Sequence, residues 1–272
     1  MQVSQIPMKR LFFLTSILFL LTGCTDFEYS PHQAFDPDSP TDLNEKNLAK
    51  LLKIENDDTV RFIVSGDSQR SHNEVELFVK KANTMPGIDM VFLAGDLTEF
   101  GTLQEMEWVV EQFNKLRIPY FAVIGNHDLL SKGSVAFQRM FGDLNYSFTY
   151  DGVKFICHDT NGREYKFNGK VPDISWVENQ MSPSARARNY IGISHMRPFS
   201  SDFDIKLETV YTDILNNNPA FLASFHGHDH SFGEYFPNNS RVPFVVTTTL
   251  GKKGFLLVEI VNDQIKYERV NY

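Results

Sequence analysis

The sequence has two cysteines, Cys24 and Cys157, in 272 residues. Two cysteines do not make the disulfide framework of a small secreted scaffold. Cys157 lies in an apolar run over 153–158 and reads as a small buried hydrophobe, not a reactive thiol. Basic charge is also short: 26 Lys and Arg face 34 Asp and Glu, for a net charge of -8. Such a chain lacks the cationic footprint of duplex-binding proteins, so no nucleic-acid polymer is expected as a partner. No apolar run reaches the roughly 20 residues of a membrane-spanning helix, and there is no internal repeat or low-complexity tract. What the chain has in quantity is apolar residues, 42% of the total, ample for a substantial core. Its 24 Phe and 10 Tyr read as core, not as a base-stacking platform.

The N-terminal segment reads as an address. Lys9 and Arg10 give a basic start, residues 11–21 are almost wholly apolar, and small residues follow, the three regions of a signal peptide. Met8 is an alternative start to Met1. Leu21-Thr22-Gly23-Cys24 resembles a bacterial lipobox. The resemblance implies cleavage before Cys24, acylation of that cysteine, and an extracytoplasmic, lipid-anchored place in the cell envelope. The competing reading is an ordinary signal peptide with a coincidental Cys24. Residues 25–40 are polar, proline-bearing and aperiodic, the pattern of a tether. The expected organisation is therefore a signal peptide over 1–23, a tether over 24–40 and one folded domain over 41–272. Leu43, Leu48, Leu51, Leu52 and Ile54 predict a short outer helix, with Thr41 or Asp42 as N-cap and no functional content.

From residue 59 onward apolar runs alternate with helical patterns. Strands are expected over 60–64, 90–94 and 120–124, with helices over 73–83 and 103–116 between them. This alternation argues for an α/β fold with parallel pairing. Asp151-Gly152 predicts a hairpin between strands over 147–150 and 153–158. A short helix is expected over 173–181 and buried strands over 190–195 and 220–226. The runs 242–247, 254–261 and 265–270 read as a closing antiparallel set, the last two joined at Asn262-Asp263.

The expected strands end in Gly plus a metal-capable side chain: Gly66-Asp67, Gly95-Asp96 and Gly125-Asn126-His127-Asp128. Ligands of parallel sheets gather beyond the carboxyl ends of the strands. Together with His195, His228 and His230 these residues form a mixed oxygen and nitrogen set. Such a set suits divalent Mn, Fe, Zn or Co, with Mg also compatible. Two such ions a few ångströms apart would activate water and neutralise a phosphoryl group, and Asp96 is the natural bridging carboxylate.

The ordered set Asp67-Ser68-Gln69, Gly95-Asp96, Gly125-Asn126-His127-Asp128, His195 and Gly227-His228-Asp229-His230 resembles the calcineurin-like metallophosphoesterase superfamily. The likeness runs from about residue 59 to 270, and a full ordered set is far more specific than one short motif. It implies a four-layer α/β/β/α sandwich, two divalent metal ions and hydrolysis of a small phosphorylated substrate. It further implies that Asp67 and His230 hold the first metal, that Asp96 bridges, and that Asn126, His195 and His228 hold the second. By the same resemblance His127 contacts the phosphoryl oxygen and protonates the leaving group, and Asp128 orients His127. Gln69 departs from the commoner pattern, in which histidine stands. Some branches carry Gln here, and its amide oxygen is a weaker ligand.

His226 has no matching ligand role and reads as structural. His158 reads as a core residue or a support behind the site, and Asp159-Thr160-Asn161 as turn chemistry. Arg70 and His72 follow the first motif and read as solvated, and Trp176 as helix packing. The competing function is a non-catalytic binding platform on the same fold, which should have lost His127 or several ligands. A protein serine/threonine phosphatase would need an open groove for polypeptide, and no marker selects it. Preference for monoester or diester lies in the loops over 161–171, 197–204 and 235–241.

Overall fold

The computed structural model describes residues 34–272 apart from 36, 56, 184 and 185. The expected signal peptide, Cys24 and the tether as far as residue 33 lie outside the described residues. Phe35–Tyr272 forms a compact unit, and the description below concerns it. That unit takes in the last residues of the expected tether. The Arg139 guanidinium lies 3.9 Å from the centre of the Phe35 ring, and the Ser39 hydroxyl donates to Glu107 at 2.6 Å.

The first half runs α1 (Leu43–Leu51), β1 (Thr59–Ser65), α2 (His72–Ala82), β2 (Met90–Ala94), α3 (Leu103–Phe113), β3 (Tyr120–Val123) and α4 (Gly133–Phe141). The second runs β4 (Tyr146–Tyr150), β5 (Val153–Cys157), α5 (Ile174–Gln180), β6 (Asn189–Ile193), α6 (Glu208–Asn216) and β7 (Phe221–His226). It closes with β8 (Gly233–Tyr235), β9 (Phe244–Val246), β10 (Gly254–Val261) and β11 (Gln264–Asn271). The strands form two sheets, ordered β11-β10-β1-β2-β3 and β4-β5-β6-β7-β9-β8.

Side-chain alternation along the strands builds the four layers. In β1, Val60, Phe62 and Val64 face the other sheet, while Ile63 faces the helices. Ile63, Val91, Leu93 and Ala122 pack against Val75 and Phe78 of α2, Val110 and Phe113 of α3, and Phe137 of α4. On the far side Ile156, Tyr190 and Phe244 pack against Val177 of α5 and Tyr211 and Leu215 of α6. Between the sheets lies an aromatic seam in which Phe62 meets Phe92, Phe155 and Phe225 edge-on at 5.6, 5.3 and 5.7 Å. The architecture is the expected α/β/β/α sandwich.

Local chemistry explains several boundaries. Thr102 and Glu105 cap α3 reciprocally, and Asp173 caps α5 through the Trp176 N–H. Asp151 and Gly152, both at positive φ, close the β4–β5 hairpin as a two-residue turn requires. Trp176 packs among the α5 and α6 side chains.

Two expectations change. Asp42 precedes α1 with a left-handed backbone and makes no side-chain cap. The polar residues within that helix matter more: Asn44 accepts from the Ala122 N–H at 3.0 Å and donates to its carbonyl at 3.2 Å. The helix thereby satisfies the open edge of β3. The run 242–247 does not join an antiparallel closing set. Its strand β9 lies parallel to β7 and antiparallel to β8 in the second sheet. Val245 fills the inter-sheet core and Phe244 the outer one, so the continuous apolar run reflects burial on both faces.

Two stability predictions follow from these interiors. Phe62→Ala removes the hub of the inter-sheet seam and should cost about 3–5 kcal/mol in denaturant unfolding. Burial lowers the His158 imidazole from 6.5 to about 4, while its Nε2 sits 2.9 Å from the Tyr211 hydroxyl. The unfolded chain therefore takes up this proton first. Stability from this group is whole above about pH 6.5 and is lost as pH falls toward 4. His158→Gln should make the acid slope of the urea midpoint shallower.

Candidate metal centre

The carboxyl ends of β1, β2 and β3 meet those of β6 and β7 across the sandwich, and the loops there are tightly tied. Asp67 donates its N–H to the Gly95 carbonyl at 3.0 Å, and the N–H groups of Ser68 and Gln69 both reach the Asp96 carbonyl. Asp67, Asp96, His228 and His230 all have positive φ, between 53° and 69°. That region is sterically unfavourable for residues with a Cβ and concentrates at functional sites. Gly125 has a separate reason to be glycine: a Cβ there would lie 2.1 Å from the Asp96 nitrogen.

The strand ends bring together every expected metal-ligating residue. Two groups of donor atoms, each within 4.8 Å of one another, share a carboxylate: Asp96, His195 and His228, and Asp67, Asp96 and His230. Asn126 joins the first group, its Oδ1 lying 3.1 Å from both His195 Nε2 and His228 Nδ1. Gln69 joins the second, its amide nitrogen 3.2 Å from Asp96 Oδ2 and 3.4 Å from His230 Nε2.

The electrostatics favour cations. Burial alone would lower the His195 imidazole, but the charges of Asp96 and Asp67 outweigh it and raise it to about 10. His230 is likewise raised, first by its hydrogen bond to Asp67. His228 moves the other way, lowered by burial and by His195. Imidazoles raised by buried carboxylates mark a strongly negative place, the kind that a divalent ion would also satisfy. The donor set also fits such ions: mixed oxygen and nitrogen ligands in two groups that share one carboxylate. The Gln69 carbonyl oxygen is buried without a hydrogen-bond partner. Turned over, the amide would aim that oxygen at Asp96 and His230, a choice between O and N that crystallographic density rarely makes.

Two of the candidate ligand histidines, His195 and His228, have their other nitrogen occupied. His195 Nδ1 donates to the Ala94 carbonyl at 2.7 Å, leaving Nε2 for the centre. His228 places Nε2 3.2 Å from Asp202, leaving Nδ1. Asp202 is held in turn by Arg163 at 3.0 Å. This support from Asp202 was not foreseen, because nothing in the loop over 197–204 marks it.

The orientation of His127 differs from expectation. Asp128 was expected to orient it, but its buried carboxylate accepts instead from the N–H groups of Leu97, Thr98 and Gly125 and from the Thr98 hydroxyl. It staples the two loops together and is spent on backbone. His127 Nδ1 lies 2.9 Å from the Glu99 carbonyl, and the Glu99 side chain pairs with Arg70. The His127 N–H donates to Asp96 at 2.9 Å, so backbone and ring are fixed separately. Arg70 is exposed, as expected, and its contact with Glu99 is a surface ion pair.

The remaining polar residues are supports. His226 is buried, 3.1 Å from the Ser194 hydroxyl and stacked on Phe244. Asp159 accepts from the Asn161 N–H at 2.8 Å and from the Tyr165 hydroxyl, the turn chemistry expected of it. The Cys157 thiol is buried and pushed up to about 12 by desolvation, as an inert core residue should be.

The structure is thus an α/β four-layer sandwich that carries, at its strand ends, two candidate metal-ligand groups sharing one carboxylate. The family model for calcineurin-like phosphoesterases matches residues 60–245, and the chain belongs to that family. The model for the prokaryotic membrane lipoprotein lipid attachment site matches residues 8–25. A protein of Arcobacter nitrofigilis named probable glycerophosphodiester phosphodiesterase GpdQ is 26% identical over 163 residues, covering 54% of this chain and 59% of that protein. The match therefore spans less than two thirds of that relative. Among solved structures, a dimetal phosphatase from Danio rerio superposes with a TM-score of 0.60 at 12% identity, covering 78% of this chain and 99% of that one. GAP50, the anchor in the inner membrane complex of Plasmodium, gives 0.58 at 14% identity over 78% of this chain and 84% of that one. These structural likenesses bear on the fold.

Asp128→Ala would leave the buried donors of Leu97, Thr98 and Gly125 unpaired. The expected result is a stability loss of about 3 kcal/mol or more, with reduced metal content after dialysis. A variant of unchanged stability would mean that the staple does not hold the loops.

Proposed function

We propose that the chain is a phosphoric ester hydrolase that holds two divalent metal ions and acts on a small phosphorylated substrate. The observation that carries this reading is the pair of ligand groups joined at Asp96. Asp67, Gln69, Asp96 and His230 would hold one ion, and Asp96, Asn126, His195 and His228 the other. Mn, Fe, Zn or Co suit these donors, with Mg compatible. When bound, such a pair supplies Lewis acidity and an activated water.

The chain's own residues supply the rest. His127 Nδ1 donates to the Glu99 carbonyl, which leaves Nε2 free; as the imidazolium, His127 would donate from Nε2 to a phosphoryl oxygen and pass that proton to the departing alkoxide, ending neutral. Asp96 fixes the His127 backbone and so sets that imidazole against the metal ligands. Ala94 and Asp202 fix the tautomers of His195 and His228, the outer support that metal-ligating imidazoles need. Lipidation of Cys24 would anchor the enzyme to a membrane of the bacterial envelope, on its extracytoplasmic side. The lipid-attachment match supports the anchor. Likeness to a relative named as a phosphodiesterase makes diesters the first class to assay.

The test is a screen of Mn, Zn, Fe, Co and Mg against paired chromogenic phosphomonoesters and phosphodiesters. Metal-dependent turnover is expected, and its pattern separates the two ester classes. His127→Ala should lower kcat by about 10²–10⁴ while metal content stays near normal. No turnover and no bound metal would instead favour the non-catalytic binding platform.

A further inference from the structure

One edge of the helical layer carries apolar side chains that stand exposed among the described residues. Phe100, Trp108, Leu130 and Val135 are exposed at 57%, 55%, 44% and 59%. They form one band. Phe100 and Trp108 line the same cavity between α2 and α3. Gly101, next to Phe100, is packed against the Leu130 carbonyl, and Val135 follows on the first turn of α4. Single exposed apolar residues are ordinary, but a contiguous band marks an interaction surface.

The chain enters its folded unit beside this band. Ser39 bonds to Glu107, the neighbour of Trp108 on α3. The Phe35 ring lies on Arg139, one helical turn from Val135 on the same face of α4. Phe35 stands eleven positions after Cys24, a span of at most roughly 40 Å even fully extended. An acyl anchor at Cys24 therefore keeps this face within a short reach of a bilayer.

We infer that the band of Phe100, Trp108, Leu130 and Val135 docks on the lipid bilayer that carries the chain's own Cys24 anchor. Tryptophan and phenylalanine suit the boundary between headgroups and acyl chains. A net charge of -8 gives no attraction to anionic lipid, so apolar insertion drives the contact, and a zwitterionic surface suffices. Docking sets the metal centre beside the headgroup layer, because Glu99, adjacent to Phe100, holds His127. The inference rests on lipidation of Cys24 and is independent of which ester is cleaved.

The chain's two tryptophans report on it directly, since Trp176 lies in α5 on the opposite outer layer. The full lipidated chain is reconstituted in phosphatidylcholine vesicles with plain or brominated acyl chains. In the Trp176→Phe variant, Trp108 emission should fall by roughly half in brominated vesicles, the depth expected of an interfacial side chain. In the Trp108→Phe variant, Trp176 emission should be unchanged. Pairing Phe100→Ser with Val135→Ser should reduce the Trp108 quenching, whereas Ile205→Ser, exposed elsewhere, should not. Absent quenching at Trp108, or equal quenching at both tryptophans, overturns the docking alone. An intact mass without acyl chains overturns the anchor and the docking together.

Discussion

A carboxylate that is 1% exposed cannot be tolerated without positive charge and donors around it, and Asp96 is such a group. One oxygen takes the His127 N–H, and the other lies within reach of His195 and Gln69. Asp67, fully buried, imposes the same demand beside it and is met by the His228 N–H and by His230. Two buried acids this close need more cationic charge than the polypeptide alone comfortably supplies. The raised imidazoles of His195 and His230 are the sign of that deficit.

Meeting the demand requires both halves of the chain. The first sheet supplies Asp67, Asp96 and Asn126, and the second supplies His195, His228 and His230. Their separation is therefore set by how the two sheets pack. The seam of Phe62, Phe92, Phe121, Phe148 and Phe155 fills that space with rings in edge-on, tilted and stacked contact. Large, stiff side chains fix an inter-sheet distance better than flexible ones, since a packed core resists small changes in volume. The aromatic content thus does geometric work for a site that it does not touch.

Sequence made the centre readable because strand ends in a parallel sheet converge whatever the loops between them do. Asp67, Asp96, Asn126 and His195 each follow a buried apolar run, so their meeting required only the pairing order. What was missed lacked such a frame. α4 opens on Gly133, where a Cβ would lie 2.0 Å from the Asp128 carbonyl; tertiary contact, not propensity or a cap, starts that helix. α6 starts after Leu207 with no side-chain cap, which hid another amphipathic segment. The strand β9 was found, but its partner was not, since a short apolar run does not encode pairing direction. Asp202 was hidden because its significance lies in a contact with His228 that no spacing reveals.

The error at Asp128 is the most instructive, because residue type and motif both suggested a partner for His127. A carboxylate behind an imidazole raises its basicity and stabilises the protonated ring, whereas a backbone carbonyl fixes the tautomer without adding a full charge. Here the carbonyls of Ala94 and Glu99 hold Nδ1 of His195 and His127. His228 has a carboxylate behind it, Asp202 at 3.2 Å, and the Glu99 carboxylate also stands 3.9 Å from His127 Nδ1. Placing Asp128 on four backbone and hydroxyl donors ties the loop after Asp96 to the turn at Gly125, so its charge is spent on fixing the loops that carry the candidate ligands.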